Sequence, residues 1–381
     1  MRVLRISHSS NVSAYRERDR KLEQLGVEVA LICPSDWEHL GQSDRNIKES
    51  FSVDQIRTLG TGAIPLFAYD LGPIIERIRK FRPDVIDIHE EPYSVSCFEC
   101  LVLAKTFAPR AAYVFYTAQN INKKYPLPFR MSEGFVYQNS HGAYPCSIGV
   151  QEVLQAKGYA KRCPVIPLGV DPQQFSPQGE TIRDWKHNND SQVIGFTGRL
   201  VESKGLQVIL QAMALLPHSV KSTVKLLVAG SGPSQAKLSE LATNLGLADY
   251  VTWLGALKQT EMPAFYRSCN VVVVPSITTK TWKEQFGRVP VEAMSCGIPI
   301  IVSDSGSLPE VAADCGIIVP EDNPTALSAA LQELLPNRLR SAEIGRRSGD
   351  LVRTRFSWHA VAQLMVQLYS DCLRASQQPH S

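Results

Sequence analysis

Short runs of β-branched and apolar residues recur along the whole chain, each followed by a stretch of helical period, and this alternation leaves few folds open. Parallel strands need crossovers, and crossovers lay helices on both faces of a sheet, so strands of this kind read as near-continuous apolar runs. In the first half the candidate strands are Val3–Ile6, Val27–Ile32, Val53–Leu59, Val85–His89, Tyr113–Tyr116 and Val165–Pro167, with amphipathic segments such as Tyr15–Leu25 and Leu71–Phe81 between them. In the second half they are Val193–Thr197, Lys225–Ala229, Val251–Leu254, Val271–Pro275, Ile298–Ser303 and Ile317–Pro320. The expectation is an α/β chain with two parallel sheets.

Two cores are needed, because 381 residues exceed what one core organises. Asp171 to Gln192 is polar, carries two prolines and lacks apolar period, so it reads as a connector. This places a Rossmann-like domain at 1–175, a connector at 176–192 and a second Rossmann-like domain at 193–356. Helical period returns from Ser357 with Trp358, Val361, Leu364, Met365 and Leu368, giving a terminal helical segment at 357–381.

The charge balance, 40 basic against 37 acidic residues, is too even for nucleic acid as the main partner. No segment approaches 18 uninterrupted apolar residues, and MRVLRISHSS is too short for a signal-peptide core, so a cytoplasmic protein is expected. The basic clusters Arg16/Arg18/Arg20/Lys21 and Arg77/Arg79/Lys80/Arg82 fall on candidate surface helices. They read either as solvated faces or as contacts to anionic lipid or a lipid diphosphate, at the inner membrane face. Cys97 and Cys100 form a lone CxxC without a second pair at zinc spacing, which reads as two small apolar residues on a helix.

Three glycine turns carry the candidate chemistry. Gly198-Arg199 through Lys204-Gly205 follows a strand and opens a helix, and two cations beside a helix start make a pocket for a diphosphate. Gly205 stands where a Walker loop needs Ser or Thr, so this is not a P-loop. Gly230-Ser-Gly232 lacks the third glycine of a dinucleotide fingerprint and reads as a structural turn near the nucleotide. Trp253-Leu-Gly255 ends the next strand, where its backbone could face a base. Glu284 precedes a helix that holds Pro290 in its first turn and Glu292 within it, and Phe286 and Gly287 offer amides at the helix start. Paired carboxylates there suit sugar and ribose hydroxyls, or simply cap and decorate a surface helix. In the first half His89-Glu90-Glu91 and Thr117-Ala-Gln-Asn120 sit at strand carboxyl ends, where open α/β sheets bind ligands; the alternative is loop capping.

GRLVESKG, LLVAGSGP and EQFGRVPVEAMSCGIPIIVSDSGSLPEV, with their spacing, resemble retaining glycosyltransferase family 4 closely across the second half. HEEP, TAQN and VIPLGVDPQQFSP resemble it more loosely in the first. The resemblance implies a GT-B fold, two Rossmann-like domains with the last helix crossing back onto the first. It implies that Arg199 and Lys204 grip the diphosphate, that Glu284 binds the donor sugar and that Glu292 holds the ribose. Phe286, Gly287 and Arg288 would line the pocket, with Gly198, Gly232 and Gly255 around the nucleotide, and His89 would face the sugar. No Asp-x-Asp occurs, so a metal-independent reaction is expected. Where many members carry a glycine-rich loop after the first strand, this chain has Ser7-His8-Ser9-Ser10-Asn11.

The function expected is transfer of a hexose from a UDP- or GDP-sugar to a hydroxyl of a glycan, lipid-linked saccharide or small molecule, with configuration kept. The donor is a substrate, and no cofactor is implied. The alternatives are a sugar-nucleotide epimerase or hydrolase on the same grip, and a non-catalytic nucleotide-sugar-binding partner.

Overall fold

The computed structural model describes residues 1–37, 41–42, 48–60, 62–182 and 191–377. The chain forms two compact units, Met1–Gly169 with Trp358–Ser381, and Val170–Ser357. Of the expected connector, residues 183–190 lie outside the described residues. Its preceding segment is held within the second unit, where Arg267 Nη1 donates to Ser176 O at 3.1 Å and Arg267 Nε to Glu180 O at 2.8 Å.

The first unit is built on a six-stranded sheet: β1 (Arg2–Ile6), β2 (Glu28–Pro34), β3 (Ser52–Ile56), β4 (Val85–Ile88), β5 (Ala112–Thr117) and β6 (Gly142–Pro145). The second holds β7 (Gln192–Thr197), β8 (Val224–Ala229), β9 (Val251–Gly255), β10 (Val271–Val274), β11 (Ile300–Ser303) and β12 (Gly316–Val319). The spatial orders are β3-β2-β1-β4-β5-β6 and β9-β8-β7-β10-β11-β12. Both are the doubly wound order in which the chain reverses direction beside its first strand, here between β1 and β4 and between β7 and β10. Pairing is parallel throughout both sheets.

Eleven of the twelve expected strands overlap observed ones; the last of the first half does not. Val165–Pro167 stays irregular and contributes one ladder-like bond, Ile166 N to Pro145 O at 2.9 Å. Prolines at 164 and 167 remove the donors a ladder needs. The sixth strand is Gly142–Pro145, an edge strand in which a terminal proline is tolerated.

Alternation divides the first sheet between two layers. Leu4, Ile86 and Phe115 face one core, with Ile74, Ile78 and Leu101 from the helices over that face. Val3, Val85 and Val114 face the other, which is closed by Leu22 and by Val361, Met365, Leu368 and Tyr369 of the terminal helix Trp358–Gln377. The same parity puts Arg5 and Asp87, direct partners on β1 and β4, into that second layer.

The expected basic face on the first helix needs correcting. Arg16 and Arg18 are buried rather than solvated. Arg16 donates to Ser10 O at 2.8 Å and pairs with Glu49, Arg20 binds Glu49 and Glu17, and Lys21 pairs with Glu17. Acidic partners consume the charges of Arg16, Arg20 and Lys21 inside the unit, while Arg18 meets His89 Nδ1 at 3.2 Å. In the other cluster Arg77 is tied to Asp54 and Arg79 stacks over Phe107, leaving Lys80 and Arg82 exposed. Among the described residues no helix is long and apolar enough to cross a membrane. Cys97 and Cys100 are buried on the helix Val95–Phe107, their thiols pushed far up by burial.

Candidate functional site

In the second unit the sequence-read residues gather at the carboxyl edge of β7–β10, around the strand reversal, where crossovers leaving in opposite directions open a crevice. Backbones approach closely here. A side chain on Gly205, at φ 73°, would put its Cβ 1.8 Å from Pro275 O, and one on Gly230, at φ 149°, would lie 1.9 Å from Gly198 O. Glycine at both positions is therefore demanded by contact and by conformation. The turns are tied strand to strand: Gly198 N donates to Ala229 O at 3.0 Å and Gly230 N to Gly255 O at 2.7 Å. Gly232 packs against the Leu200 backbone.

The turn Glu202–Lys204 is pinned to the end of β10 by Ile277 N donating to Ser203 O at 2.8 Å. This carries Lys204 to Glu284. Lys204 Nζ donates to Glu284 Oε2 at 2.7 Å, and Ser276 Oγ donates to the same oxygen at 2.8 Å. The Glu284 main chain is fixed from behind, its carbonyl accepting from Ser307 N at 3.1 Å. Trp282 closes one side, its ring centroid 4.7 Å from Lys204 Nζ. Arg199, at the end of β7, is exposed and makes no polar side-chain contact among the described residues. The edge thus holds one ammonium already directed at a carboxylate and one unengaged guanidinium, a set that can bind an anion and a hydroxylated ring side by side.

The helix Arg288–Ser295 starts from Gly287, in a left-handed conformation at φ 83°. Glu292 on its buried face accepts from Tyr266 Oη at 2.7 Å and Gln259 Nε2 at 3.2 Å. Burial and then the Glu292 charge push the Tyr266 hydroxyl far above its ordinary range, so it stays a donor. Each carboxylate oxygen keeps a second lone pair for a further hydroxyl. Phe286, expected to line the pocket, turns its ring into the core against Phe356, with centroids 6.0 Å apart. What it can offer a ligand is its main chain. Arg288 is half-buried at the helix start.

The first unit has its own constellation at the carboxyl edge of β1 and β4. The loop after β1 winds into short turns, and His8 meets Glu90 twice: its amide donates to Oε1 at 2.7 Å and Nδ1 lies 2.5 Å from Oε2. Tyr69 Oη donates to Glu90 Oε1 at 2.7 Å. Burial works against a charge on His8, but attraction and hydrogen bonding from Glu90 outweigh it and raise the imidazole above its usual value. Glu91 accepts from Thr117 Oγ1 and Ala118 N, both at 2.8 Å. Burial nonetheless lifts its carboxyl to about 7, with the Glu90 charge adding to the rise. His89 stacks on Tyr116 at 4.0 Å and is pushed well below the usual imidazole range by burial, helped by the Arg5 and His8 charges. It is a neutral ring. Among the described residues no group of three or more His, Cys, Asp or Glu side chains is placed to hold a metal ion.

Ser276, Tyr266 and Gln259 are not among the residues singled out from the sequence, and His8 is named there only within the loop that replaces a glycine-rich one. Ser276 had a readable signal, following a strand end beside the glycine turns; Tyr266 and Gln259 reach Glu292 from 26 and 33 residues away, which no local pattern encodes.

Comparison with known proteins places both halves. The family described as Glycosyltransferase Family 4 matches residues 19–174, and Glycosyl transferases group 1 matches residues 177–349. The D-inositol 3-phosphate glycosyltransferase of Segniliparus rotundus is 35% identical over 220 residues, 55% of this chain and 47% of that protein. A GDP-mannose-dependent alpha-(1-6)-phosphatidylinositol monomannoside mannosyltransferase of Mycolicibacterium smegmatis is 28% identical over 56% of this chain and 57% of its own length. The chain spans about half the length of the curated relatives it matches. In structure, sucrose-phosphate synthase from Thermosynechococcus elongatus superposes with a TM-score of 0.73 at 21% identity, over 98% of this chain and all of that one. Anabaena HepE in complex with UDP and glucose gives 0.71 at 19%, over 97% and 99%.

Proposed function

Since the chain belongs to the GT-B glycosyltransferases of the group 1 and family 4 type, we propose that it moves a hexose from a UDP- or GDP-sugar to an acceptor hydroxyl, keeps the anomeric configuration and needs no metal ion. The observation that carries this reading is the convergence of Lys204, Ser276 and Glu284 at the strand reversal of the second sheet, with Arg199 exposed just past the end of β7.

As the bond from the anomeric carbon to the diphosphate breaks, the carbon gains positive charge and the leaving oxygen negative charge. Arg199 and Lys204 hold that negative charge on the leaving group, the stage at which preorganised cations contribute most. Lys204 then exchanges part of its attraction to Glu284 for the diphosphate. Glu284 is freed to accept hydroxyl hydrogens from the sugar, while Glu292 accepts those of the ribose. A phosphate oxygen that stays beside the anomeric carbon takes the acceptor proton on the same face, so the new bond forms where the old one broke. His89 is assigned to the transferred sugar on the family resemblance alone. The similarity to a D-inositol 3-phosphate glycosyltransferase and to a phosphatidylinositol monomannoside mannosyltransferase favours a polyol acceptor, free as a phosphate or linked to lipid.

The test is proton NMR of the first product formed from α-linked UDP- and GDP-hexoses with a panel of polyol and lipid-linked acceptors. An α anomeric doublet that requires acceptor is expected. A β product overturns retention, and nucleotide release that ignores acceptor replaces transfer with hydrolysis.

A further inference from the structure

His89 Nδ1 is contested. Tyr144 Oη lies 3.0 Å from it and Arg18 Nη2 lies 3.2 Å away. The two neighbours make opposite demands. Tyr144 has committed its hydroxyl hydrogen to Asp87 Oδ1 at 2.5 Å, so toward His89 it offers a lone pair and calls for a hydrogen on Nδ1. Arg18 can only donate, so it calls for a bare Nδ1.

The surroundings decide between them. Asp87 is itself held by Arg5 Nε at 3.0 Å and by Tyr369 Oη of the terminal helix at 2.6 Å, all fully buried, so the Tyr144 hydroxyl cannot turn away cheaply. Arg18 is 6% exposed, its ring-face contact is Tyr144 at 5.6 Å, and no carboxylate pairs with it among the described residues. A nearly buried guanidinium with no counter-ion gains most from a neutral acceptor and is repelled most by a facing N–H. We infer that Arg18 is a positioning residue that fixes the Nε2–H tautomer of His89 against the opposing pull of Tyr144. Nε2, which meets no hydrogen-bond partner among the described residues, is thereby a donor at the carboxyl edge of the first sheet. Its consequence for catalysis rests on the assignment of His89 to the transferred sugar: a donor can serve a sugar oxygen, where a bare nitrogen would repel it.

The experiment is long-range proton–nitrogen correlation on the full chain with ¹⁵N-labelled histidine, the His89 signals being assigned by their loss in His89→Gln. The hydrogen is expected on Nε2 in the native protein and in Tyr144→Phe, and on Nδ1 in Arg18→Met, while Arg18→Lys, which restores an N–H donor, returns it to Nε2. A hydrogen on Nδ1 in the native protein, or on Nε2 in Arg18→Met, overturns the inference. In turnover, Arg18→Met is expected to lower kcat about 100-fold with little change in donor KM, the size of one lost preorganised donor, and Arg18→Lys to recover most of it. A tautomer that moves as stated while kcat does not sustains the inference and removes His89 from the sugar site.

Discussion

Glu284→Gln should separate binding from catalysis, because the two depend on opposite features of one contact. In the free protein Glu284 Oε2 neutralises Lys204 across 2.7 Å and accepts from Ser276 at 2.8 Å. The carboxylate is buried but the lysine is partly exposed, with 27% of its side chain accessible, so the pair is worth about 1 kcal/mol rather than the figure for a buried ion pair. Glutamine keeps the shape and the hydrogen bond from Ser276 but releases that attraction, and a nucleoside diphosphate then meets a lysine with no competitor. UDP or GDP is expected to bind about fivefold more tightly, the equivalent of about 1 kcal/mol. Turnover should move the other way. A sugar hydroxyl that loses its charged acceptor as charge develops costs about 3–4 kcal/mol in the barrier, or a fall in kcat of about 100- to 1,000-fold. Calorimetry with free nucleotide and initial rates at saturating donor measure the two effects on the same preparation. Nucleotide binding that weakens in step with turnover would refute the division of labour between Lys204 and Glu284, and unchanged turnover would remove Glu284 from the chemistry.

EDTA is expected to leave turnover intact; loss that Mn²⁺ restores would reveal a metal requirement. The first unit should lose stability as pH rises. Glu91 is lifted from 4.5 to about 7, so the native state binds more protons than the unfolded one across that window. From pH 5.5 to 7.5 this withdraws about 2 kcal/mol. His8, also raised, contributes stability that is full below the ordinary imidazole value and is lost as pH climbs through its folded one, which adds to the same trend. Denaturant midpoints at the two pH values should show it, and Glu91→Gln should flatten the change; a midpoint that rises with pH contradicts the assignment.

Strands rich in valine, isoleucine and leucine were readable because burial on both faces needs no information beyond the run itself. Gly142–Pro145 escaped because its residues, Gly-Ala-Tyr-Pro, carry no β-branched side chain and earn their place through the terminal helix, with Gly142 lying against Cys372 and Leu368. The arginines of the first helix were misread for a related reason. A row of charges at helical spacing looks solvated unless Glu49, His89 and Tyr144 are known to meet it, and all three come from other strands and loops. At the site, glycine turns and a helix start announced Lys204 and Glu284 one by one. Their meeting, 80 residues apart in sequence, is a product of the doubly wound order, which brings the loops after the first and fourth strands of a unit together. The His8–Glu90 pair arises in the same way from the other sheet, 82 residues apart.

The terminal helix gives the chain an unusual order of assembly. Val361, Met365, Leu368, Tyr369 and Cys372 belong to the core of the first unit, yet they leave the ribosome after the whole of the second. Domains generally fold as they emerge, and Val170–Ser357, one uninterrupted stretch, is free to do so. The first unit cannot. While the second is being made, its sheet waits with one apolar layer uncovered and with Asp87 lacking the Tyr369 hydroxyl. A unit whose strands precede Val170 is completed only by residues that follow Ser357, and a stop codon just before Trp358 would leave that unit, and not Val170–Ser357, unfinished.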